Sequence, residues 1–237
     1  MTAERAFGLL TIDLDDTLWP CAPTLRRAEA ELYAWLERTA PRLTAAWTQE
    51  AMRRHRRELM VSLPEIAHDL TAVRRHSLRE LLAAHGYDAA LADAAMARFL
   101  TYRNRVEPYA DVIPALRVLG AEYPLVSVTN GNADVARTPL RRLFDFSLTA
   151  ADVGARKPDP ALFHGALRWS GVTPERALHL GDDPYRDVAA ARRFGMTAIW
   201  INRGAGSWPA ELEPPTGELR DLRPLQSWLE DHRHDAL

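Results

Sequence analysis

Four short apolar runs, each ending in a small or acidic residue, recur along this chain: FGLLTID at 7–13, PLVSVTN at 124–130, ALHLGDD at 177–183 and TAIWIN at 197–202. Each has the length of a buried strand and runs into turn residues or a helix start. Helical patterns lie between them: VIPALRVLGAEY at 112–123, ADVARTPLRRLF at 133–144, PALFHGALRWSG at 160–171 and YRDVAAARRFG at 185–195, the last with Gly195 placed as a helix stop. Strands alternating with helices predict an α/β fold on a parallel sheet covered on both faces. Ligands of such sheets gather beyond the carboxyl ends of the strands, so the residues there are the candidates for chemistry.

One block breaks the rhythm. From about Trp19 to Pro108 the chain carries long helical patterns rich in Ala, Leu and Arg and no convincing strand. It reads as a helical domain, 19–108, inserted into an α/β core made of 1–18 and 109–237; the alternative is extra helices packed on the sheet with no moving part. At 47% hydrophobic residues the chain has ample material for packed cores. The stretch GAGSWPAELEPPTGE after Arg203 reads as a Pro/Gly-rich loop.

Just past the first strand stand Asp13, Asp15 and Asp16. Three carboxylates within four residues repel one another at a buried strand end unless a cation neutralises them. A second acidic cluster, Asp182, Asp183 and Asp187, follows the third strand candidate. Two carboxylate clusters at one sheet edge make an oxygen-only site, suited to a hard cation such as Mg²⁺ rather than to zinc. Between them PLVSVTNGN ends in Thr129, Asn130 and Gly131. A hydroxyl and backbone N–H groups at that turn form a cradle for phosphate oxygens, although TNG taken alone is equally an ordinary turn.

Lys157, in GARKPDP, is the only lysine of 237 residues, the other 29 basic side chains being arginine. Arginine has taken every position where the two are interchangeable, unless one lysine codon survived by chance. Lysine differs in being a compact point charge with three rotatable donors. Set beside carboxylates at a sheet edge, it balances their charge and holds a phosphoryl oxygen without demanding bidentate geometry.

DxDxT at Asp13 to Thr17, the strand-terminal Thr129, Lys157-Pro158 and GDDxxxD at Gly181 to Asp187, in this order, resemble the signature of the haloacid-dehalogenase-like hydrolase superfamily. The resemblance runs from end to end and is to the phosphatases, with a Rossmann-like core and an inserted helical cap. It implies Asp13 as the nucleophile that forms an aspartyl-phosphate, and Asp15 as the acid for the leaving alkoxide and then the base for water. Thr129 and Lys157 would complete the catalytic set. Mg²⁺ would be held by Asp13, the backbone carbonyl of Asp15 and Asp182, with Asp183 and Asp187 in or near the site. Dehalogenases of the superfamily lack a carboxylate at the position of Asp15 and need no metal, and phosphonate-cleaving relatives need a cap lysine that this chain does not have. LDDTLW, PEIAHDLTAVR at 64–74, SVTNGNADV and LGDDPYRDVAAARRFGM are more narrowly similar to bacterial phosphatases acting on 5-amino-6-(5-phospho-D-ribitylamino)uracil and on FMN, hence to riboflavin biosynthesis. Arg156 stands where that group has Ser.

In the matching cap stretch His68, Arg74 and Arg75 are candidate substrate-binding residues, with Asn130 and Gly131 in the core; each cap position also reads as a solvated helix face. Nucleotides and sugar phosphates are alternative substrates. A phosphotransferase or mutase, or a catalytically silent phosphometabolite-binding protein, are alternative functions. The formal charge of −2 argues against nucleic acid as a partner, so RRHRR at 53–57 reads as a solvated helix face. One cysteine, Cys21, permits no internal disulfide, no apolar run approaches the ~20 residues a bilayer needs, and MTAERAFGLL shows no export pattern. Together these predict a cytoplasmic enzyme of a small-molecule phosphate ester, with no membrane partner and no signal of oligomeric state. HRH at 232–234 reads as a frayed tail.

Overall fold

The computed structural model describes residues 6–232. In chain order the elements are β1 (Leu9–Ile12), α1 (Cys21–Thr39), α2 (Pro41–Ala46), α3 (Gln49–Ser62), α4 (Leu70–Ala84), α5 (Leu91–Arg103), α6 (Val112–Gly120), β2 (Leu125–Thr129) and β3 (Phe146–Thr149). There follow α7 (Ala150–Val153), α8 (Ala161–Ser170), β4 (Ala177–Gly181), α9 (Ala190–Arg193), β5 (Thr197–Ile201), β6 (Gly217–Leu219) and α10 (Leu225–Asp231). The chain divides into two compact units, one of residues 1–20, 107–131 and 139–237, the other of 21–106 and 132–138. No described helix is long and apolar enough to cross a membrane.

The first unit is an α/β unit on one six-stranded sheet of order β3-β2-β1-β4-β5-β6, with every pairing parallel. β1, β2 and β4 are buried at every residue, as near-continuous apolar strands covered on both faces must be. Leu9, Val126, Val128, Leu162, Phe163 and Ala198 share one core, where each large apolar side chain removed from water contributes about 1.5–3 kcal/mol. From β1 the chain builds β2 and β3 on one side, then crosses to β4 on the other. The order therefore reverses at the β1/β4 pair, the switch point where an open parallel sheet leaves a crevice at its carboxyl edge.

The second unit is helical. α1 turns Ala28, Leu32 and Leu36, spaced by four, toward the interior, and Ala92, Ala95, Met96 and Phe99 of α5 are buried in the same cluster. α3 begins on Thr48, whose hydroxyl accepts the Ala51 N–H, and α4 on Asp69, whose carboxylate accepts the N–H groups of Thr71 and Ala72. Such caps satisfy amide donors that a first turn otherwise leaves orphaned.

The expected helix over 133–144 does not form. Only Val135–Arg137 makes a single 3₁₀ turn, because Pro139 denies the next turn its donor and pushes Thr138 to an extended φ of −107°. The helix expected over 185–195 opens instead as a π-helical turn, Pro184–Ala189, before α9. β3 was not legible, and β6, a three-residue edge strand, lies partly inside the stretch read as loop.

Candidate active site

The register Ile12↔Leu180 sets the ends of β1 and β4 level, and one residue further the Asp13 N–H still donates to the Leu180 carbonyl at 2.9 Å. Asp13 and Asp182 thus leave neighbouring strands side by side. The chain after Asp13 turns sharply through Asp16 at φ 62°, a left-handed conformation that Asp tolerates better than most residues. The turn is closed by the Asp16 N–H on the Trp19 carbonyl at 2.8 Å. The carboxylate of Asp15 accepts the indole N–H of fully buried Trp19 at 2.8 Å. The Thr17 hydroxyl lies within reach of Asp182 Oδ1 (3.1 Å) and Asp13 Oδ2 (3.3 Å), donating to one at a time.

Lys157 is 3% exposed. Its Nζ donates to Asp13 Oδ1 at 2.6 Å, Asp187 Oδ1 at 2.5 Å and the Val128 carbonyl at 2.9 Å, so the three ammonium protons meet three acceptors. Asn130 fixes the backbone at this point, its Nδ2 donating to the Lys157 carbonyl at 2.9 Å and its Oδ1 accepting the Lys157 N–H at 2.7 Å. Burial by itself would lower the lysine pKa, but Asp13 and Asp187 outweigh it and hold the ammonium above its ordinary value. Asp187 stays below the usual carboxylate range despite its burial, because Lys157 and His179 both stabilise its anion.

Burial pushes Asp13 well up, with Lys157 opposing and Asp187 and Asp182 adding to the rise. Burial and the charge of Asp187 lift Asp182 to about 7. One ammonium therefore does not compensate this set of carboxylates. Oxygens of Asp13, Asp182 and Asp187 all lie within 4.8 Å of one another. An all-oxygen donor set of buried like charges fits a hard divalent cation such as Mg²⁺. Asp187 has both oxygens engaged, Oδ1 with Lys157 and His179 and Oδ2 with the Asp183 N–H at 3.1 Å. Asp183 turns its carboxylate onto its own turn, accepting the N–H groups of Tyr185 and Arg186 at 2.9 Å.

Thr129 is buried at the end of β2, and its hydroxyl accepts the Gly131 N–H at 2.9 Å. The cap candidates lie in the helical unit. Arg74 is buried against Glu29 at 2.9 Å with its guanidinium 3.7 Å above the Phe99 ring. Arg75 pairs with Asp93 at 3.0 Å, and His68 is half-buried in the turn before α4. The run RRHRR is not simply a solvated face: Arg53 and Arg56 turn inward onto Glu29. Of HRH, His232 stacks on Trp228 and the other two residues lie outside the described residues.

Three side chains at the site went unnoticed in the sequence. His179, fully buried in β4, is kept neutral by burial. Its Nε2–H therefore donates to Asp187 Oδ1 at 3.3 Å, while Nδ1, 3.0 Å from the Thr11 hydroxyl, is left as the acceptor. The signal was a lone polar ring inside a buried strand. Trp200 donates its indole N–H to the Asp182 carbonyl at 2.7 Å. Arg203 donates to the Thr17 carbonyl at 2.7 Å and forks onto Asp111 at 3.0 and 2.9 Å, clasping the loop that carries Asp13 and Asp15. Gly181 is required by the same packing: a Cβ there would sit 2.4 Å from Cβ and Cγ of Asp187.

The profile of the haloacid dehalogenase-like hydrolases matches residues 7–195. The chain is 34% identical over 228 residues, 93% of its length and 95% of the relative's, to the 5-amino-6-(5-phospho-D-ribitylamino)uracil phosphatase YigB of Escherichia coli. It is 30% identical to the glyceraldehyde 3-phosphate phosphatase of Methanopyrus kandleri, covering 81% of this chain and 82% of that one. Among solved structures, a 2-haloacid dehalogenase from Pseudomonas syringae superposes with a TM-score of 0.90 at 40% identity, over 95% of this chain and 99% of that one.

Proposed function

This chain belongs to the haloacid dehalogenase-like hydrolase family and is an enzyme of its phosphatase kind, and we propose that it is Mg²⁺-dependent and hydrolyses small-molecule phosphate monoesters. The preferred class is a ribityl phosphate, 5-amino-6-(5-phospho-D-ribitylamino)uracil or FMN, in the cytoplasm. The observation that carries the reading is the buried Asp13 carboxylate, gripped at 2.6 Å by the only lysine of the chain beside Asp182 at the β1/β4 switch point. The substrate preference is supported by the likeness to YigB over nearly the whole chain and by the cap stretch at 64–74, the helical unit being the part we assign to substrate choice.

In this mechanism one oxygen of Asp13 attacks phosphorus, and the P–O bond to the alcohol breaks. Asp15, entering as the acid, gives its proton to the leaving alkoxide. The product at this stage is an aspartyl-phosphate. Asp15 then takes a proton from the water that attacks phosphorus, and inorganic phosphate leaves with Asp13 restored. Lys157 orients Asp13 and balances charge on the phosphoryl oxygens, and Thr129 with the turn after β2 receives them. Asp13, Asp182 and the carbonyl of Asp15 would hold Mg²⁺, which when bound neutralises the carboxylates and the phosphoryl oxygens.

The dehalogenase neighbour favours a second reading, displacement of halide by Asp13. Halide leaves without a proton, so that chemistry needs no acid at Asp15; the ester it leaves on Asp13 is cleared by water, for which a neighbouring carboxylate serves as base, and no cation is called for. Both readings meet in one experiment, the release of phosphate from FMN, the ribitylaminouracil phosphate, nucleotides and sugar phosphates and of halide from 2-haloacids, each with Mg²⁺ or EDTA. We expect Mg²⁺-dependent phosphate release, highest with the ribityl phosphates. Metal-independent halide release with no phosphate release would overturn the proposal.

A further inference from the structure

Asp15 is held by a side chain to which the mechanism above gives no role. Trp19 is fully buried, and its indole N–H donates to Asp15 Oδ1 at 2.8 Å. The two residues stand four apart on one tight turn. There the Leu18 N–H donates to the Leu14 carbonyl and the Asp16 N–H to the Trp19 carbonyl, both at 2.8 Å, and Asp15 and Trp19 form an isolated parallel bridge. Two contacts from distant segments anchor the turn, the Tyr109 N–H on the Leu18 carbonyl at 3.0 Å and Arg203 on the Thr17 carbonyl at 2.7 Å. An enclosed ring carried on a fixed turn has one position, so its N–H is a fixed point for Asp15.

Burial alone does not explain the acceptor. A buried indole N–H needs a partner, and elsewhere in the same α/β unit a backbone carbonyl serves: Trp200 donates to that of Asp182 at 2.7 Å and Trp208 to that of Leu212 at 3.3 Å. Trp19 donates instead to a carboxylate, the one assigned as acid and base. Asp15 is half-buried. A carboxylate with that much room turns among staggered rotamers, and a bond from a fixed donor selects one of them. A neutral carboxylic acid also accepts a hydrogen bond better at its carbonyl oxygen than at its hydroxyl. An N–H fixed on Oδ1 therefore favours the proton on Oδ2.

We propose that Trp19 is a positioning residue for the acid and base of the reaction: its indole N–H holds Oδ1 of Asp15 so that Oδ2 gives a proton to the leaving alkoxide and later takes one from water. The inference rests on the phosphatase reading and names the residue that sets the acid. No bond forms or breaks at Trp19. The indole supplies geometry, and a misplaced acid loses rate because proton transfer needs it within hydrogen-bond reach of the reacting oxygen.

The test is Trp19→Phe, which keeps a large buried ring and removes the N–H. With Mg²⁺ present it is read on the alkyl phosphate that the parent cleaves fastest and on p-nitrophenyl phosphate, whose leaving group needs no proton. kcat/KM covers the steps through P–O cleavage, whereas kcat also contains the attack of water on the aspartyl-phosphate, for which Asp15 is the base. A well-placed acid contributes about 10²–10⁴-fold, so the ratio of kcat/KM for the alkyl over the aryl ester should fall about tenfold or more. On the aryl ester, kcat should fall further than kcat/KM. A purely structural role lowers kcat/KM for both esters alike. Asp15→Asn is the control. A ratio that falls in Asp15→Asn but stays within about twofold of the parent in Trp19→Phe overturns the inference alone; a ratio unchanged in both overturns the acid assignment with it. A second readout needs no change at Trp19 and stands should the Phe variant not fold. The Trp19 indole N–H signal, assigned by NMR on the full chain, should move upfield in Asp15→Asn, where a neutral amide oxygen replaces a charged acceptor. An unmoved signal overturns the inference.

Discussion

Lys157→Arg keeps the charge and changes only its shape, so it tests whether the geometry at the β1/β4 edge is what the chain has preserved. The ammonium meets Asp13, Asp187 and the Val128 carbonyl at 2.5–2.9 Å from one nitrogen. A guanidinium is planar and longer, and can fork onto one carboxylate but cannot serve three acceptors that converge on a point. One buried acceptor is left unpaired, at about 1–3 kcal/mol, and the extra atoms are forced into a site 3% exposed, at about 1–3 kcal/mol more. The expected loss of stability is about 2–6 kcal/mol, a large share of the ~5–15 kcal/mol that holds a typical domain. Displacement of Asp13 should lower kcat/KM by about 10²–10³, the scale for losing one positioned donor. Urea unfolding of both proteins reads the first number, as a fall in midpoint at unchanged slope, and phosphate release with Mg²⁺ reads the second. Stability within about 0.5 kcal/mol of the parent, the range of an ordinary surface change, together with kcat/KM within about threefold, would refute the argument that only lysine fits.

Asp13→Asn should abolish turnover while the chain still folds, checked by circular dichroism beside the phosphate assay; residual activity above about 1% of the parent would mean that another group is the nucleophile. Asp15→Asn should slow substrates with poor alkoxide leaving groups far more than an aryl phosphate whose leaving group needs no proton, and an equal loss on both would remove Asp15 as the acid. Gly181→Ala drives a Cβ to 2.4 Å from Asp187 and should cost about 1–3 kcal/mol by overpacking, with activity lost alongside because Asp187 and Lys157 move together. Asp111, half-buried, is held below its ordinary pKa because Arg203 and the Leu222 N–H outweigh its burial. Its contribution is therefore complete above the unfolded value of about 3.9 and lost as pH falls through the lower folded value, so the melting-temperature gap between parent and Asp111→Asn should be constant near neutrality and close in acid.

The inner strands of the sheet were legible because burial on both faces leaves a strand no freedom of composition. β1, β2, β4 and β5 are short apolar runs whose ends are marked by Asp13, Thr129, Asp182 and Asn202. β6 has three residues at the sheet edge, where pairing on one side only imposes no such pattern. The failed helix at 133–144 had the right apolar spacing, but Pro139 outweighs periodicity because it removes a bond outright. At the site, residues were legible where like charges crowd in sequence, as at Asp13–Asp16 and Asp182–Asp187. They were not legible where partners meet only in space: Arg203 reaches Thr17 across 186 residues, and His179 reaches Thr11 across 168.

The arginine-rich composition makes a further distinction visible. In the α/β unit the lone lysine marks the place where arginine fails, because three acceptors converge on one nitrogen. In the helical unit, arginine supplies the cation of the described ion pairs apart from those of His55 and His76 with Glu80, and at Glu29 three guanidinium groups crowd one carboxylate. Drift in composition can multiply arginines on an exposed face at almost no cost, since exposed pairs contribute about 0–1 kcal/mol either way. Arg74 is a different case: it is buried, with one arm on Glu29 and the plane of its guanidinium 3.7 Å over the Phe99 ring, so packing as well as charge holds it there. Lys157 and Arg74 are both held by partners within the chain, the first by three oxygens that converge on one nitrogen, the second by a carboxylate and an aromatic face that suit a planar guanidinium.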